Sequence, residues 1–272
     1  MRVAIIGGYG KMGAWFSGFF KNSGHEVIIS GRNVRKARKT ARELGVRYSA
    51  SNQKAVEGAD MVVISVIVDQ FEDVVRKLAP SIRPGQKVID ITSVKSVPVA
   101  IMKKYLPHAD ILGTHPMFGP GIKSPEGQNF ILTPTNDKER HLARQIEKML
   151  KSKGFKVIYT SPEKHDEAIS RIMSLTHFVG FVTADSWKEL EIEKFSNMGS
   201  TSFRLLKQFV NSVVDQSPEI YSYLPTGVPN VSKYEGVFAN KARIWADMAG
   251  KRRRKELMKR MTQLKGYIKE IG

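Results

Sequence analysis

The sequence predicts an α/β N-terminal domain over residues 1–160, with a mostly parallel, doubly wound sheet, followed by an all-α C-terminal domain over residues 161–272. Three observations carry this expectation. Short apolar runs alternate with helical patterns through the first half, the rhythm of βαβ units. A glycine-rich turn follows the first run and opens a helical pattern. From Pro162 onward the strand-like runs stop and the helical periodicity continues.

The elements follow in order. Strands are expected at Arg2–Ile6, Glu26–Ser30, Met61–Val66, Lys87–Ile91, Ile111–Thr114, Asn129–Thr133 and Lys156–Tyr159. Between them, Phe71, Val74, Val75 and Leu78 recur at helical spacing, as do Leu142, Ile146, Met149 and Leu150. Ser161-Pro162-Glu163 is a helix start, with serine as the cap and proline in the first turn. One helical pattern then runs through Ile169, Ile172, Leu175, Phe178, Val179 and Val182. Another carries Phe203, Leu206, Val210, Val213 and Val214. Pro225-Thr226-Gly227-Val228-Pro229 interrupts the periodicity, and a last helix shows Leu257, Met261, Leu264 and Ile268.

The first strand runs into Gly7-Gly8-Tyr9-Gly10-Lys11-Met12-Gly13, which holds GxGxxG at Gly8, Gly10 and Gly13. Strand before and helix after is the context that the Rossmann dinucleotide fingerprint requires. Glycines let the backbone turn and approach a pyrophosphate resting on the helix N-terminus. Gly8, Gly10, Lys11, Met12 and Gly13 are therefore candidate cofactor-binding residues, with Ser65 at the end of the third strand. A ligand-free tight turn is the other reading. The second strand ends Ser30-Gly31-Arg32-Asn33, without the carboxylate that would grip the ribose hydroxyls of NAD. Ser30 and Arg32 suit a 2′-phosphate, so the expected cofactor is NADP, with NAD possible if Arg32 only stacks on adenine.

Ser93 and His115 both fall just past strand ends, where open parallel sheets bind ligands. His115 lies in Gly113-Thr114-His115-Pro116-Met117-Phe118-Gly119-Pro120, whose two prolines stiffen the backbone. Beside a nicotinamide, an imidazole can take the proton of a substrate hydroxyl while hydride leaves the same carbon. Ser93 could bond to that histidine or to the hydroxyl, or simply cap a helix.

Composition narrows the remaining classes. With no cysteine, disulfides and thiolate catalysis are excluded, and the six histidines show no close metal-ligand spacing, so no metal is expected. The N-terminus lacks a signal-peptide layout and no transmembrane run is visible, so a cytoplasmic location is expected. The formal net charge is +18, densest at Lys251-Arg252-Arg253-Arg254-Lys255. A solvated helix face explains that run, and no helix-turn-helix or RNA-binding signature accompanies it, so nucleic acid is not an expected partner.

Taken together, GTHPMFGP, the Ser93-Val94-Lys95 strand-end motif, GGYGKMG and Ser174-Leu175-Thr176-His177-Phe178 resemble the prephenate dehydrogenase family, in its stand-alone, archaeal-like form. The resemblance spans the first half well and the helical half loosely. It implies oxidative decarboxylation of prephenate, or dehydrogenation of its amino analogue arogenate, in tyrosine biosynthesis. It implies His115 as acceptor for the substrate 4-hydroxyl, Ser93 as its partner and His177 as a substrate-binding residue. It also implies a homodimer through the helical domain. The chain departs from the bacterial pattern at Gln208, where an arginine would pair with a substrate carboxylate. Arg204 and Lys207 are the nearby cations for a small anionic substrate. Another hydroxyacid or imine reductase of the same two-domain plan is the alternative.

Overall fold

The computed structural model describes residues 1–215 and 218–271, in two units. The first comprises Met1–Ile169 with residues 218–223, and the second holds the other described residues.

The first unit is built on eight strands: β1 (Arg2–Ile6), β2 (Glu26–Ser30), β3 (Arg47–Tyr48), β4 (Met61–Ile64), β5 (Lys87–Asp90), β6 (Asp110–Pro116), β7 (Asn129–Leu132) and β8 (Lys156–Tyr159). Their order across the sheet is β3-β2-β1-β4-β5-β6-β7-β8. Strands β1 to β6 are parallel, β7 is antiparallel to β6, and β8 is parallel to β7. The helices are α1 (Lys11–Asn22), α2 (Val34–Leu44), α3 (Asn52–Val56), α4 (Val68–Leu78), α5 (Ser96–Tyr105), α6 (Asp137–Lys151) and α7 (Pro162–Ile169).

The central strands β1, β4 and β5 read as apolar runs because both faces of the sheet are covered there. Side chains alternate, so Val3 and Ile5 join Phe16, Phe20 and Phe130 in one core cluster. Ala4 and Ile6 join Phe71, Val75 and Met102 in the other. The two-residue β3 was invisible to periodicity because it is too short to show a repeat. Strand β6 runs two residues beyond the expected Ile111–Thr114 at its C-terminal end. Its parallel ladder with β5 stops at Gly113, opposite Asp90. Antiparallel β7 then takes over, pairing Thr114 with Leu132, His115 with Ile131 and Pro116 with Phe130. His115 therefore sits inside a strand, and the expectation of a turn just past a strand end is corrected.

Gly7 sets the glycine loop. Its φ is 83°, and a Cβ there would lie 2.0 Å from the carbonyl oxygen of Ser65. Gly13 packs as closely, since a Cβ would lie 2.5 Å from the Gly7 carbonyl oxygen. The loop thus folds flat onto β4 and onto the first turn of α1. Gly7 lies outside the GxGxxG spacing, yet it carries the steepest steric demand of the loop.

The second unit holds a π-helical turn (Ser170–Ser174), α8 (Leu175–Glu189), a 3-10 segment (Ile192–Met198) and α9 (Thr201–Val214). The single turn α10 (Pro218–Tyr221) belongs to the first unit; then come the single turn α11 (Tyr223–Gly227), α12 (Val231–Gly250) and α13 (Arg254–Ile271). Helices α8 and α9 pack together, with Val213 against the bare backbone of Gly180. Among the described residues of this unit, buried apolar ones are few: Val210, Val213, Val228, Val231 and Met248. Many large ones are exposed, including Ile172, Leu190, Met198, Leu205, Met261 and Ile268. The basic run 251–255 fills the turn between α12 and α13, where Arg252 has φ 53°, and continues into the first two residues of α13. No helix among the described residues is long and apolar enough to cross a membrane.

Gly7→Ala tests the loop. It forces a left-handed backbone onto a β-carbon and drives that carbon into the Ser65 carbonyl, so stability should fall by about 1–3 kcal/mol or more. Urea denaturation of parent and variant measures the difference. A change below about 0.5 kcal/mol would show that the loop relaxes freely.

Candidate active site

The C-terminal edge of the parallel sheet gathers most of the sequence-predicted residues of the first unit. Gly7–Gly13 follows β1, Ser65 follows β4, Ser93 follows β5, and His115 is the penultimate residue of β6. The glycine loop fits a dinucleotide pyrophosphate on structural grounds. Gly10 caps α1 without a side-chain hydrogen bond, and no acid stands in the first turn. The N-terminal N–H groups of α1 thus have no side-chain acceptor from the cap, as an anion site requires. Lys11 is exposed at the first position of α1, and Met12 packs against the core.

Ser30 and Arg32 do not act together. Ser30 is fully buried, and its hydroxyl donates to Asn52 Oδ1 at 2.6 Å. Its carbonyl oxygen accepts from the N–H groups of Gly7 and Gly8, at 2.8 and 3.1 Å. Ser30 thus holds the glycine loop in place, and its hydroxyl is not offered to a phosphate. Arg32 is exposed beyond β2, followed by Asn33, which caps α2 by accepting from the Lys36 N–H.

The chemistry centres on His115, which is 4% exposed. A buried ion pair fixes the strand that carries it. Lys95 Nζ donates to Asp90 Oδ1 and, at 2.6 Å, to the carbonyl oxygen of Thr114. The Thr114 hydroxyl donates to the Asp90 carbonyl oxygen at 2.6 Å. Both Lys95 and Asp90 are fully buried, so the end of β5 is tied to β6 one residue before His115. One residue after Met117, Phe118 packs its ring on Trp15 of α1 and stacks on Phe155, with centroids 5.0 and 5.5 Å away. Aromatic packing, as well as the prolines, stiffens GTHPMFGP.

His115 does not pair with Ser93. Its Nδ1 lies 2.9 Å from His165 Nε2, and His165 Nδ1 lies 2.8 Å from Asp166 Oδ1. Asp166 in turn accepts from the N–H groups of Lys95 (2.7 Å) and Ser96 (2.8 Å). It therefore caps α5 from a distance, the role that Ser93 was an alternative candidate to fill. Ser93 is half-buried beside this network. Sequence reasoning missed His165 and Asp166. Their only signal was an acid–imidazole pair in the helix after the last strand, and nothing in the spacing tied it to residue 115.

Electrostatics keep this array poised. Burial, then the neighbouring His165 ring, then the Lys95 ammonium hold His115 well below the usual imidazole range. Burial also lowers His165, against the pull of Asp166. Burial works against the Asp166 carboxylate, but hydrogen bonds from His165, Ser96 and Lys95 outweigh it and keep its pKa below the ordinary value.

In the second unit, His177 on α8 is half-buried, and its Nδ1 donates to the Met173 carbonyl oxygen at 2.7 Å. That leaves Nε2 as the acceptor in the neutral ring. Arg204 is exposed on α9 and donates to Thr201 Oγ1 at 3.1 Å. Lys207 is exposed and lines a cavity of about 520 Å³ together with Trp187, Phe203, Val210 and Val214 among others. Among the described residues, no group of three or more His, Asp or Glu could hold a metal ion.

Comparison with known proteins bears on both halves. Residues 16–159 match the model for the prephenate dehydrogenase nucleotide-binding domain, and residues 161–263 match that for the prephenate dehydrogenase dimerization domain. The chain belongs to the prephenate dehydrogenase family. Within that family it is 30% identical, over 97% of its length, to a protein of Methanocaldococcus jannaschii named "probable arogenate/prephenate dehydrogenase". It spans only 60% of that relative. The fold matches the prephenate dehydrogenase of Aquifex aeolicus in complex with hydroxyphenyl propionate and NAD+, with TM-score 0.78 and 21% identity over 100% of this chain and 98% of that one. It also matches Synechocystis arogenate dehydrogenase, with TM-score 0.75 and 20% identity over the whole of both chains. The prephenate dehydrogenase domain models meet at residue 160, whereas the compact first unit runs on to Ile169 and so includes His165 and Asp166.

The His115 imidazole lies well below the free value of about 6.5. Its ring signals, followed by NMR, should titrate well below that. The unfolded chain binds a proton at about 6.5 and the folded one resists it, so stability is full above that pH and falls as pH drops toward the folded value. The loss is up to about 1.4 kcal/mol per pH unit for this histidine. His115→Gln should flatten the slope of unfolding free energy between about pH 6.5 and 5. An unchanged slope would place the proton uptake elsewhere.

Proposed function

We propose that this chain is an NADP-dependent prephenate dehydrogenase that converts prephenate to 4-hydroxyphenylpyruvate and carbon dioxide. The single observation that supports it best is the buried imidazole of His115, held neutral at the C-terminal edge of a dinucleotide-binding sheet. A bound nicotinamide supplies a hydride acceptor. His115 Nε2 takes the proton of the substrate 4-hydroxyl as hydride leaves the carbon bearing it, and carbon dioxide departs from the opposite ring carbon. Because the product is a phenol, the proton returns to that oxygen, so His115 ends the turnover neutral. A pKa well below 6.5 keeps the acceptor available at neutral pH.

Ser93, half-buried beside the same strand ends, is assigned to the 4-hydroxyl. His177, Arg204 and Lys207 are assigned to binding the anionic substrate, whose two carboxylates call for cations and donors in a partly dry site. The exposed guanidinium of Arg32, with no acid at the end of β2, favours NADP over NAD. Arogenate is the second substrate reading, supported by the name of the M. jannaschii relative.

Initial rates with prephenate and arogenate, each crossed against NADP and NAD, test the whole assignment. The expected result is the highest kcat/KM for prephenate with NADP. Arg32→Ala should then shrink the NADP preference by roughly 10- to 150-fold, the share of one charge-assisted contact. Equal use of both cofactors by the parent protein would sink the cofactor reading. His115→Asn should lower kcat by roughly 10²- to 10⁴-fold with cofactor binding unchanged. Retention of the parental kcat would remove His115 from the chemistry.

The exposed apolar residues of the second unit support a homodimer assembled through it, in keeping with the matched dimerization domain. Sedimentation at micromolar concentration should give about twice the chain mass of 30.6 kDa. A monomer at that concentration would overturn this reading.

A further inference from the structure

We propose that Asp166 and His165 are positioning residues that lock His115 in the tautomer with its lone pair on Nε2, and that His165 shares the positive charge His115 acquires. The inference rests on the reading of His115 as the base, and it follows from a chain of donors and acceptors in which each assignment forces the next.

The chain begins at a group that can only accept. Asp166 takes the N–H groups of Lys95 on Oδ1 and Ser96 on Oδ2 at the N-terminus of α5, where backbone dipoles favour an anion. As a carboxylate it has no proton to offer, so His165 Nδ1 must be the donor across their 2.8 Å contact. A neutral imidazole carries one ring proton, so His165 Nε2 is bare and must accept. The 2.9 Å contact to His115 is then a hydrogen bond only if His115 Nδ1 donates. That leaves His115 Nε2 unprotonated, the state a general base needs. Free imidazole in water divides between two tautomers, whereas this array permits one.

Burial makes the assignment strict. His165 is 1% exposed and Asp166 is 6% exposed, so water is poorly placed to substitute for either partner. The same contacts give the incoming proton somewhere to go. When the substrate O–H bond breaks, its electron pair stays on oxygen and its proton bonds to the Nε2 lone pair. The Nδ1 proton of His115 can then shift toward His165 Nε2, leaving an imidazolium hydrogen-bonded to the Asp166 carboxylate. No atom is gained or lost, and reversal of the shift returns the proton to the product oxygen. A carboxylate that orients an imidazole and stabilises its cation serves other general-base arrays in the same way.

The tautomers can be read directly. Long-range proton–nitrogen NMR spectra of the full chain, with histidine ring nitrogens labelled, should show His115 and His165 both protonated on Nδ1 at neutral pH. A His115 protonated on Nε2 would overturn the proposal. Two variants add a functional readout. In His165→Gln the side-chain oxygen can still accept from His115 Nδ1, so kcat should fall no more than about 10-fold. In His165→Leu the acceptor is gone, and kcat should fall by roughly 10²- to 10³-fold with both KM values changed less than about 3-fold. Equal losses in the two variants, or none in the leucine variant, would count against it. Should the leucine variant fail to fold, the glutamine variant decides by its spectrum: His115 must remain protonated on Nδ1. The two readings fail separately. An active His115→Asn enzyme would remove the base while leaving the tautomer spectrum intact. An inactive one with reversed tautomers would remove only the present inference.

Discussion

The buried ion pair between Lys95 and Asp90 is the constraint on which the site depends. Burying two charges is costly unless they meet each other and further partners. Here the ammonium donates to a carboxylate, a hydroxyl and a backbone carbonyl, so part of the cost is offset. The geometry of that compensation is what matters downstream. The carbonyl belongs to Thr114, so β6 is anchored one residue before His115. The backbone N–H of the same lysine is held by Asp166, so α7 is anchored to the start of α5. The lysine charge then adds to burial in keeping the imidazole unprotonated. One residue thereby sets the position, the second neighbour and the charge state of the candidate base.

Most of the sheet was legible in the sequence because both of its faces are covered. A doubly buried strand is a run of apolar residues with sharp ends, and β1 and β2 fall at the bounds the sequence indicated, as does the largely exposed edge strand β8. The overrun of β6 was not legible. It depends on a hydrogen-bonding partner, β7, that lies 13 or more residues further along the chain. The glycine loop was recognisable by its spacing, but the demand on Gly7 comes from the Ser65 carbonyl, a contact between two strands. Ser30 was read as a ligand group because it ends β2. Its side chain instead turns to Asn52, again a partner distant in sequence.

The candidate site divides along the same line. His115 stood out because a rigid, unusual motif surrounds it. His165 and Asp166 did not, since an adjacent acid and imidazole on a helix are ordinary in isolation. Only the packing of α7 on α5 turns them into a cap and a hydrogen-bond chain. In the helical unit, periodicity identified the helices and their apolar character, but it could not say which apolar residues are buried. Ile172, Leu206 and Val214, all read as parts of helical stripes, are exposed in the single chain.

The seam between the two family domains therefore does not coincide with the seam of the working parts. Similarity divides the chain at residue 160, yet the short helix just beyond it carries two links of the chain that ends at His115. A fragment cut at the similarity boundary would keep the nucleotide loop and the imidazole, but it would lose the carboxylate that caps α5 and the ring that receives the Nδ1 proton. Recombining the halves of related enzymes at that seam would likewise join the base of one parent to the partners of the other. For chain dissection and domain exchange, a joint after Ile169 keeps His165 and Asp166 with His115, and residues 218–223 are the one later segment that also belongs to the first unit.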